Sequence, residues 1–295
     1  MVKRITGAII PIQGSGLYKE LIAMENYLCV TCGTQYSAAE KPPEVCLICE
    51  DERQYVNPAG QQWTTLAALV GHHANTVTKI APGLSTISTA PKVGIGERAY
   101  LLQTAHGNVL WDCIAYVDEA TEHALQARGG VSAIAISHPH FYTTMVSWSR
   151  ALGNIPIHLH AANRQWVMQP DDVVQFWEGE MLELLPGVTL LRCGGHFPGS
   201  TVLHWQDVRS DGEGAGSLFT GDTISIAADP RWATFMYSYP NSIPLDERTI
   251  RHIADMVEPL PFSVLYDGWG VTEGDAKDVV RRSANRYISH LRGEP

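Results

Sequence analysis

Apolar and polar positions repeat with two periods along the chain, and each change of period marks the end of an element. Ala99–Thr104 and Val109–Trp111 are apolar runs flanking "AHGN", whose Gly-Asn pair suits a turn, so they predict a hairpin. Residues 119–128 suit a helix that Gly129-Gly130 would stop. Val131–Ile136 reads as a buried strand, Tyr142–Leu152 as a helix and Ile155–His160 as the next strand. Val188–Arg192, Thr201–Trp205 and Ser217–Thr220 predict further short strands. Asp246–Val257 places Ile250, Ile253, Ala254 and Val257 on one helical face. Ser263–Tyr266 is a last strand, and Thr272–Leu291 a closing helix with Thr272 and Asp275 spaced as an N-terminal cap. Two strand-rich halves, each with helices, predict a layered α/β fold.

Residues 1–60 break this texture and set a separate region apart from 61–295. They hold Cys29-x2-Cys32 and Cys46-x2-Cys49, two pairs of thiols at a spacing that lets each chelate one ion from a tight turn. Two such turns complete a tetrahedron, and the segment resembles a zinc-ribbon or rubredoxin-like knuckle. A structural Zn2+ on the four cysteines is the expected occupant, with an electron-carrying iron as the redox alternative. Cys113 and Cys193 stand alone in strand-like contexts and read as inert buried thiols.

The remaining composition narrows the function. A formal net charge of -10 opposes affinity for nucleic acid or anionic lipid. No apolar run is long enough to span a bilayer. "MVKRITGAIIPIQGSG" starts basic, but Pro11 and Gln13 cut its apolar part short, so the expected location is cytoplasmic and membrane partners are not expected. A small-molecule substrate is the expected partner; oligomeric state is open.

The candidate chemistry lies at strand ends. His138 and His140 follow the 131–136 strand at a spacing that lets both imidazoles face one ion. His196 sits in the glycine-rich "RCGGHFPGST", and "SLFTGDT" ends a strand on Gly221-Asp222. Three imidazoles and a carboxylate suit a divalent transition metal. "SHPHFYTT", "GGHFPGST", "LFTGDT" and "LYDGWG" resemble the successive motifs of the metallo-β-lactamase fold superfamily, with "GNVLWDC" and its Asp112 as the preceding hairpin.

The resemblance covers about residues 85–290 and implies a four-layered αββα sandwich. It implies that His138, His140 and His196 form a first metal site and that Asp222 is the carboxylate that bridges two metals elsewhere in the superfamily. Tyr142, Thr143 and Trp269 stand where that pattern carries an aspartate and two histidines, all serving a second ion. The chain is therefore expected to hold one divalent ion, Zn2+ or alternatively Fe, at half of a dinuclear site.

Tyr142 is a candidate oxyanion donor or a filler of the vacated space. His160 is a candidate proton shuttle or substrate contact, or else a hydrogen-bonded structural histidine, and His158 is a weaker candidate. The 235–244 loop, with Tyr237, Tyr239 and Asn241, is expected to roof the pocket. Met145, Trp148 and Leu152 read as core.

A hydrolase of a small ester, lactone, thioester or amide, using a water activated by a single metal, is the expected function, with Asp222 as ligand or base. Rubredoxin-like knuckles beside this fold also resemble flavin-linked diiron reductases, but Tyr142 and Thr143 do not supply that site and no flavin domain is present. A mononuclear iron oxygenase and a non-catalytic binding module are the other readings.

Overall fold

The computed structural model describes residues 24–206 and 216–294. The N-terminal "MVKRITGAIIPIQGSG" stretch lies outside the described residues. Two sheets form the frame. A seven-stranded sheet runs in chain order through 74–81, 84–90, 99–104, 107–111, 133–135, 157–160 and 174–177. A six-stranded sheet is ordered 181–185, 188–192, 201–205, 216–219, 262–266 and 271–272.

Period-two alternation explains why these sheets stack. Tyr100 and Leu102 point into an inter-sheet core with Trp111, Leu190, Leu203, Trp205, Phe219 and Tyr266, while their neighbours Ala99 and Leu101 face the other way. On the far face of the second sheet, Leu191, Val202 and Leu218 meet Ile250, Ile253 and Val257 of the 247–257 helix and Val280, Ala284 and Ile288 of the 276–291 helix. The first sheet carries Leu125 of the 119–126 helix and Trp148 of the 145–151 helix on its outer face. Helices outside, sheets inside: this is the four-layered αββα arrangement.

Several boundaries differ from expectation. The 99–104 and 107–111 strands pair Thr104 with Gly107, so the turn is Ala105-His106 and the Gly-Asn pair enters the second strand. Asn108 then ties that strand down through bonds from its amide to Arg128 O and Gly130 O. The 142–152 helix starts only at Met145, because Pro139–Phe141 forms a 3-10 turn and Thr143 takes a positive φ of 33°. Thr272 does not cap the final helix: Val271–Thr272 is an edge strand, the Thr272 hydroxyl bonds Pro230 O, and the helix begins at Ala276 after Asp275.

The cysteine region is not a loose appendage. Leu28–Cys29 pairs with Trp63–Thr64, and Cys29, Cys32, Tyr36, Cys46, Ile48 and Cys49 share one apolar cluster with Phe141, Tyr142, Met145, Trp166 and Phe197 of the main body. Gln35 N donates to Thr143 O (3.0 Å) and Ser37 N to Met168 O (3.3 Å). Gly33, with φ of 79°, lies so close to the main body that a Cβ there would meet Ala115 Cβ at 2.7 Å. Among the described residues, no helix is long and apolar enough to cross a membrane.

Candidate metal centres

The parallel strand pairs determine where the histidine cluster forms. The 107–111, 133–135 and 157–160 strands run parallel, as do 216–219 and 262–266, so their carboxyl ends open onto one edge. Asp112, Ser137–His140, Asp222 and Asp267 all follow such ends. His196 arrives from the loop between the antiparallel 188–192 and 201–205 strands.

One ligand atom each from His138, His140, His196 and Asp222 lies within 4.8 Å of the others, all buried. Asp222 Oδ2 is 3.3 Å from His138 Nε2, 3.7 Å from His196 Nε2 and 3.9 Å from His140 Nδ1, and the last two nitrogens are 3.3 Å apart. Bonds of about 2.0 Å to a tetrahedral ion would set ligand separations near 3.3 Å, so the cluster has nearly the dimensions needed to hold such an ion. The buried imidazoles leave polar atoms that a bound ion or its water would satisfy: His138 Nε2, His140 Nε2 and Asp222 Oδ1 are buried without a hydrogen-bond partner.

The outer contacts aim the rings. His196 Nδ1 donates to Met236 O (3.2 Å), which leaves the Nε2 lone pair facing the cluster. His138 Nδ1 meets Ser137 Oγ at 2.8 Å, and the Ser137 hydroxyl and N–H both serve Asp112. Burial and the neighbouring imidazoles of His138 and His140 push His196 well below its ordinary range, so it stays neutral and able to ligate. Burial also lowers His140, with Asp222 and, more weakly, Asp51 pulling the other way. Burial alone would raise Asp222, but the three imidazoles outweigh it and hold the carboxyl well below the usual range.

Behind the ligands lie two acids in another state. Burial first, with the charge of Asp112 adding to it, pushes Glu97 up to about 8, and burial likewise pushes Asp112 up to about 8. A folded-state pKa above the unfolded one contributes stability that is present in acid and lost as pH rises through about 8. Wild-type stability should therefore fall between about pH 5 and 8, and Glu97→Gln should flatten part of that slope, worth about 3–5 kcal/mol at most. Urea melts across this range check it; parallel curves for the two proteins would refute it.

The four sulfurs also converge. Cys29 and Cys49 Sγ are 3.7 Å apart, Cys32 and Cys46 Sγ 3.6 Å, and all four lie within 4.8 Å. Zinc–sulfur bonds of about 2.3 Å set a tetrahedral edge near 3.8 Å, which these match. Gln61 Nε2 (3.3 Å to Cys29 Sγ) and Tyr36 Oη (3.5 Å to Cys46 Sγ) donate to the sulfurs. Cys113 and Cys193 are buried elsewhere, and burial raises both thiols.

Other expected residues fall outside the cluster. His160 Nδ1 accepts from Ala162 N (3.2 Å) and its Nε2 meets Gly179 O (3.0 Å), so both nitrogens bond backbone and the ring is not among the groups of the cluster. His158 is half-buried on the same strand, without a place among the ligands. Tyr142 is buried against the Asn163 amide, and burial raises its hydroxyl pKa. Thr143 faces Gly33 of the cysteine module. Trp269 is partly exposed and packs edge-on against Phe141, whose Cζ would be 2.8 Å from a Cβ on Gly268. Met145 and Trp148 are core, as expected.

The 235–244 segment does roof the cluster, but its polar groups point elsewhere. Tyr239 Oη donates to the Asp222 carbonyl (3.2 Å), Tyr237 bonds Glu52, and Asn241 Nδ2 donates to Glu52 O and Gln54 O (3.0 Å each). Sequence reasoning missed the Asp51–Gln54 loop, which reaches this roof from the cysteine module. Its charged "EDERQ" run after Cys49 carries no periodic signal that distinguishes it from an exposed loop.

No known protein-family model matches the chain. The uncharacterized protein YmaE of Bacillus subtilis (strain 168) is 46% identical over 274 residues, covering 92% of this chain and 98% of that protein. Among solved structures, the DIM-1 metallo-β-lactamase superposes with a TM-score of 0.54 at 10% identity, over 74% of this chain and 98% of that one. The metallo-β-lactamase FIM-1 from Pseudomonas aeruginosa, in its mono-zinc form, gives 0.52 at 12% identity, over 72% and 96%. The chain thus belongs to one family with YmaE and has the metallo-β-lactamase fold, extended at its N-terminal side by a four-cysteine, zinc-ribbon-like module.

Proposed function

We propose that the protein is a metal-dependent hydrolase of a small organic ester, lactone, thioester or amide, working with one ion in the histidine site and a second, structural Zn2+ on the cysteines. The observation that carries this reading is the convergence of His138, His140, His196 and Asp222, whose ligand atoms lie within 4.8 Å of one another, with Asp222 Oδ2 at 3.3–3.9 Å from the three imidazole nitrogens. An ion held there supplies Lewis acidity, polarising a carbonyl and making water a usable nucleophile near neutral pH.

The chain's own groups do the rest. Depressed imidazole pKa values keep His140 and His196 unprotonated and free to ligate. Asp222 would complete the ion's shell through Oδ2, while its buried, unpartnered Oδ1 could accept a hydrogen bond from a water and orient it. Phe141 and Phe197 line the imidazoles with apolar faces that strengthen local electrostatics.

A single ion is supported by where the other positions went: Tyr142 to Asn163, Thr143 to the cysteine module, Trp269 to Phe141. Asp267, near the late motif, spends both oxygens on Ser225, Ile226, Trp269 and Gly270. Among the described residues, the two groups above are the sets of ligand atoms placed to hold an ion. FIM-1 is a metallo-β-lactamase that has been crystallised in a mono-zinc form, which supports a one-ion state for the fold.

One observation favours a second reading. Four protein ligands make a closed shell, the mark of a structural ion, and a binding protein with a resident metal would show it too. Elemental analysis combined with a panel of chromogenic esters, lactones and thioesters separates the two. About two ions per chain with turnover that a chelator abolishes is expected; two ions with no turnover on any substrate class would favour the binding role.

A further inference from the structure

The four ligands of the histidine cluster are all at most 4% exposed, so no substrate reaches them in this conformation. Most of the enclosure is core. Phe141 and Phe197 pack against the imidazoles, Tyr239 lies 5.8 Å from His196, and Ser137 and Asp112 sit behind His138. One wall is different in kind. The Asp51–Gln54 loop crosses to the roof of the cluster and is held there by polar contacts.

Arg53 is clamped by Asp51 through two bonds of 2.8 and 2.9 Å, and its guanidinium lies 4.6 Å from the Phe197 ring and 4.5 Å from the Tyr237 ring. Ser238 Oγ donates to Arg53 O (3.1 Å), and Asn241 and Tyr237 hold Glu52 and Gln54 as described. Such bonds exchange with water at small net cost. The loop is also imperfectly matched, since Arg53 Nε and Gln54 Oε1 are buried without a partner. At its other end the loop is anchored firmly. It leaves the Leu47–Glu50 helix at Asp51, where the backbone turns extended, directly after Ile48 and Cys49 in the apolar cluster. A root fixed in the apolar cluster, a tip held by polar and cation–π contacts rather than by apolar packing, and a buried site beneath are the parts of a lid.

We propose that the four-cysteine module gates the histidine site: its Asp51–Gln54 loop, rooted on the sulfur cluster and latched to residues 237–241, closes the approach to the imidazoles and must lift for a substrate to reach them. Latching and rooting act together, so either losing the latch or losing the sulfur cluster opens the site. The ion on the cysteines thereby sets access to the other centre without touching it.

This inference rests on the histidine cluster being the working site, and the test separates the two. Diethyl pyrocarbonate modification of His140 and His196, followed by peptide mass spectrometry, needs no ion in that site. It is run on the full chain with the histidine site stripped by mild chelation and the cysteine ion retained in every protein except Cys46→Ser. Chelator-driven metal release from the untreated protein is the second readout. The latch variant Tyr237→Phe/Asn241→Ala should raise both rates at least about tenfold, and Cys46→Ser should do the same. Unchanged rates in the latch variant overturn the proposal. So does a rise confined to Cys46→Ser, because an unfolded module rather than a lifted loop would then be exposing the site. A purified protein with no ion on the histidines would sink the hydrolase reading while leaving the modification comparison valid.

Discussion

Replacing His196 with Ala is expected to remove one ion per chain, leave the cysteine ion in place, and lower hydrolytic turnover at least about a thousandfold. His196 is fully buried, its Nδ1 is spent on Met236 O, and its Nε2 stands 3.3 Å from His140 Nδ1 and 3.7 Å from Asp222 Oδ2. Three imidazole donors and one carboxylate hold a divalent ion tightly; two donors and a carboxylate in a buried space do so poorly. His160→Ala is the contrast, because both of its nitrogens bond backbone. It should cost about 1–2 kcal/mol of stability and leave metal content and turnover near wild type. Plasma emission analysis and steady-state kinetics on the two variants decide the matter. A His196→Ala protein that keeps two ions and full turnover would falsify the site.

The second large effect concerns the sulfurs. Cys46→Ser should release the ion from the cysteine module and destabilise the whole chain, by on the order of 5 kcal/mol or more. A free-standing ribbon would lose only its own fold. Here the sulfurs and Ile48 share a core with Phe141, Tyr142, Trp166 and Phe197, so disorder in the module uncovers apolar surface on the outer face of the first sheet. The expected signature is a lowered melting temperature together with a guanidinium transition split in two. A single transition at the wild-type midpoint, with the ion gone, would show that the module contributes nothing to the main body.

The ligands were legible because chemistry-bearing residue types sit immediately after apolar runs, where the carboxyl ends of strands must gather. His138, His140, His196 and Asp222 needed only the right strand order to meet, and the paired cysteine spacing needed nothing further. The illegible parts were set by partners far away in sequence. The 74–81 strand is the largely exposed edge of its sheet, so "ANTVTKIA" carries little of the apolar alternation that marks a half-buried strand. The late start of the 145–151 helix follows from Thr143, whose carbonyl bears Gln35 of the cysteine module and whose positive φ no local pattern predicts. Thr272 looked like a cap because its type and spacing fit; an edge-strand pairing with Leu265 took precedence. His160 shows the converse limit: an imidazole at the right strand end need not turn its nitrogens toward the chemistry.

The latch between Arg53 and Ser238 joins residues 185 positions apart. During synthesis the cysteine module leaves the ribosome early, yet the surfaces that receive it, around Thr143, Met168 and Ser238, follow much later. Contacts of such separation form slowly, because closing the intervening loop comes first. The four thiols are local in sequence and wait on none of those surfaces, so ion binding by the module is expected to precede its seating on the main body.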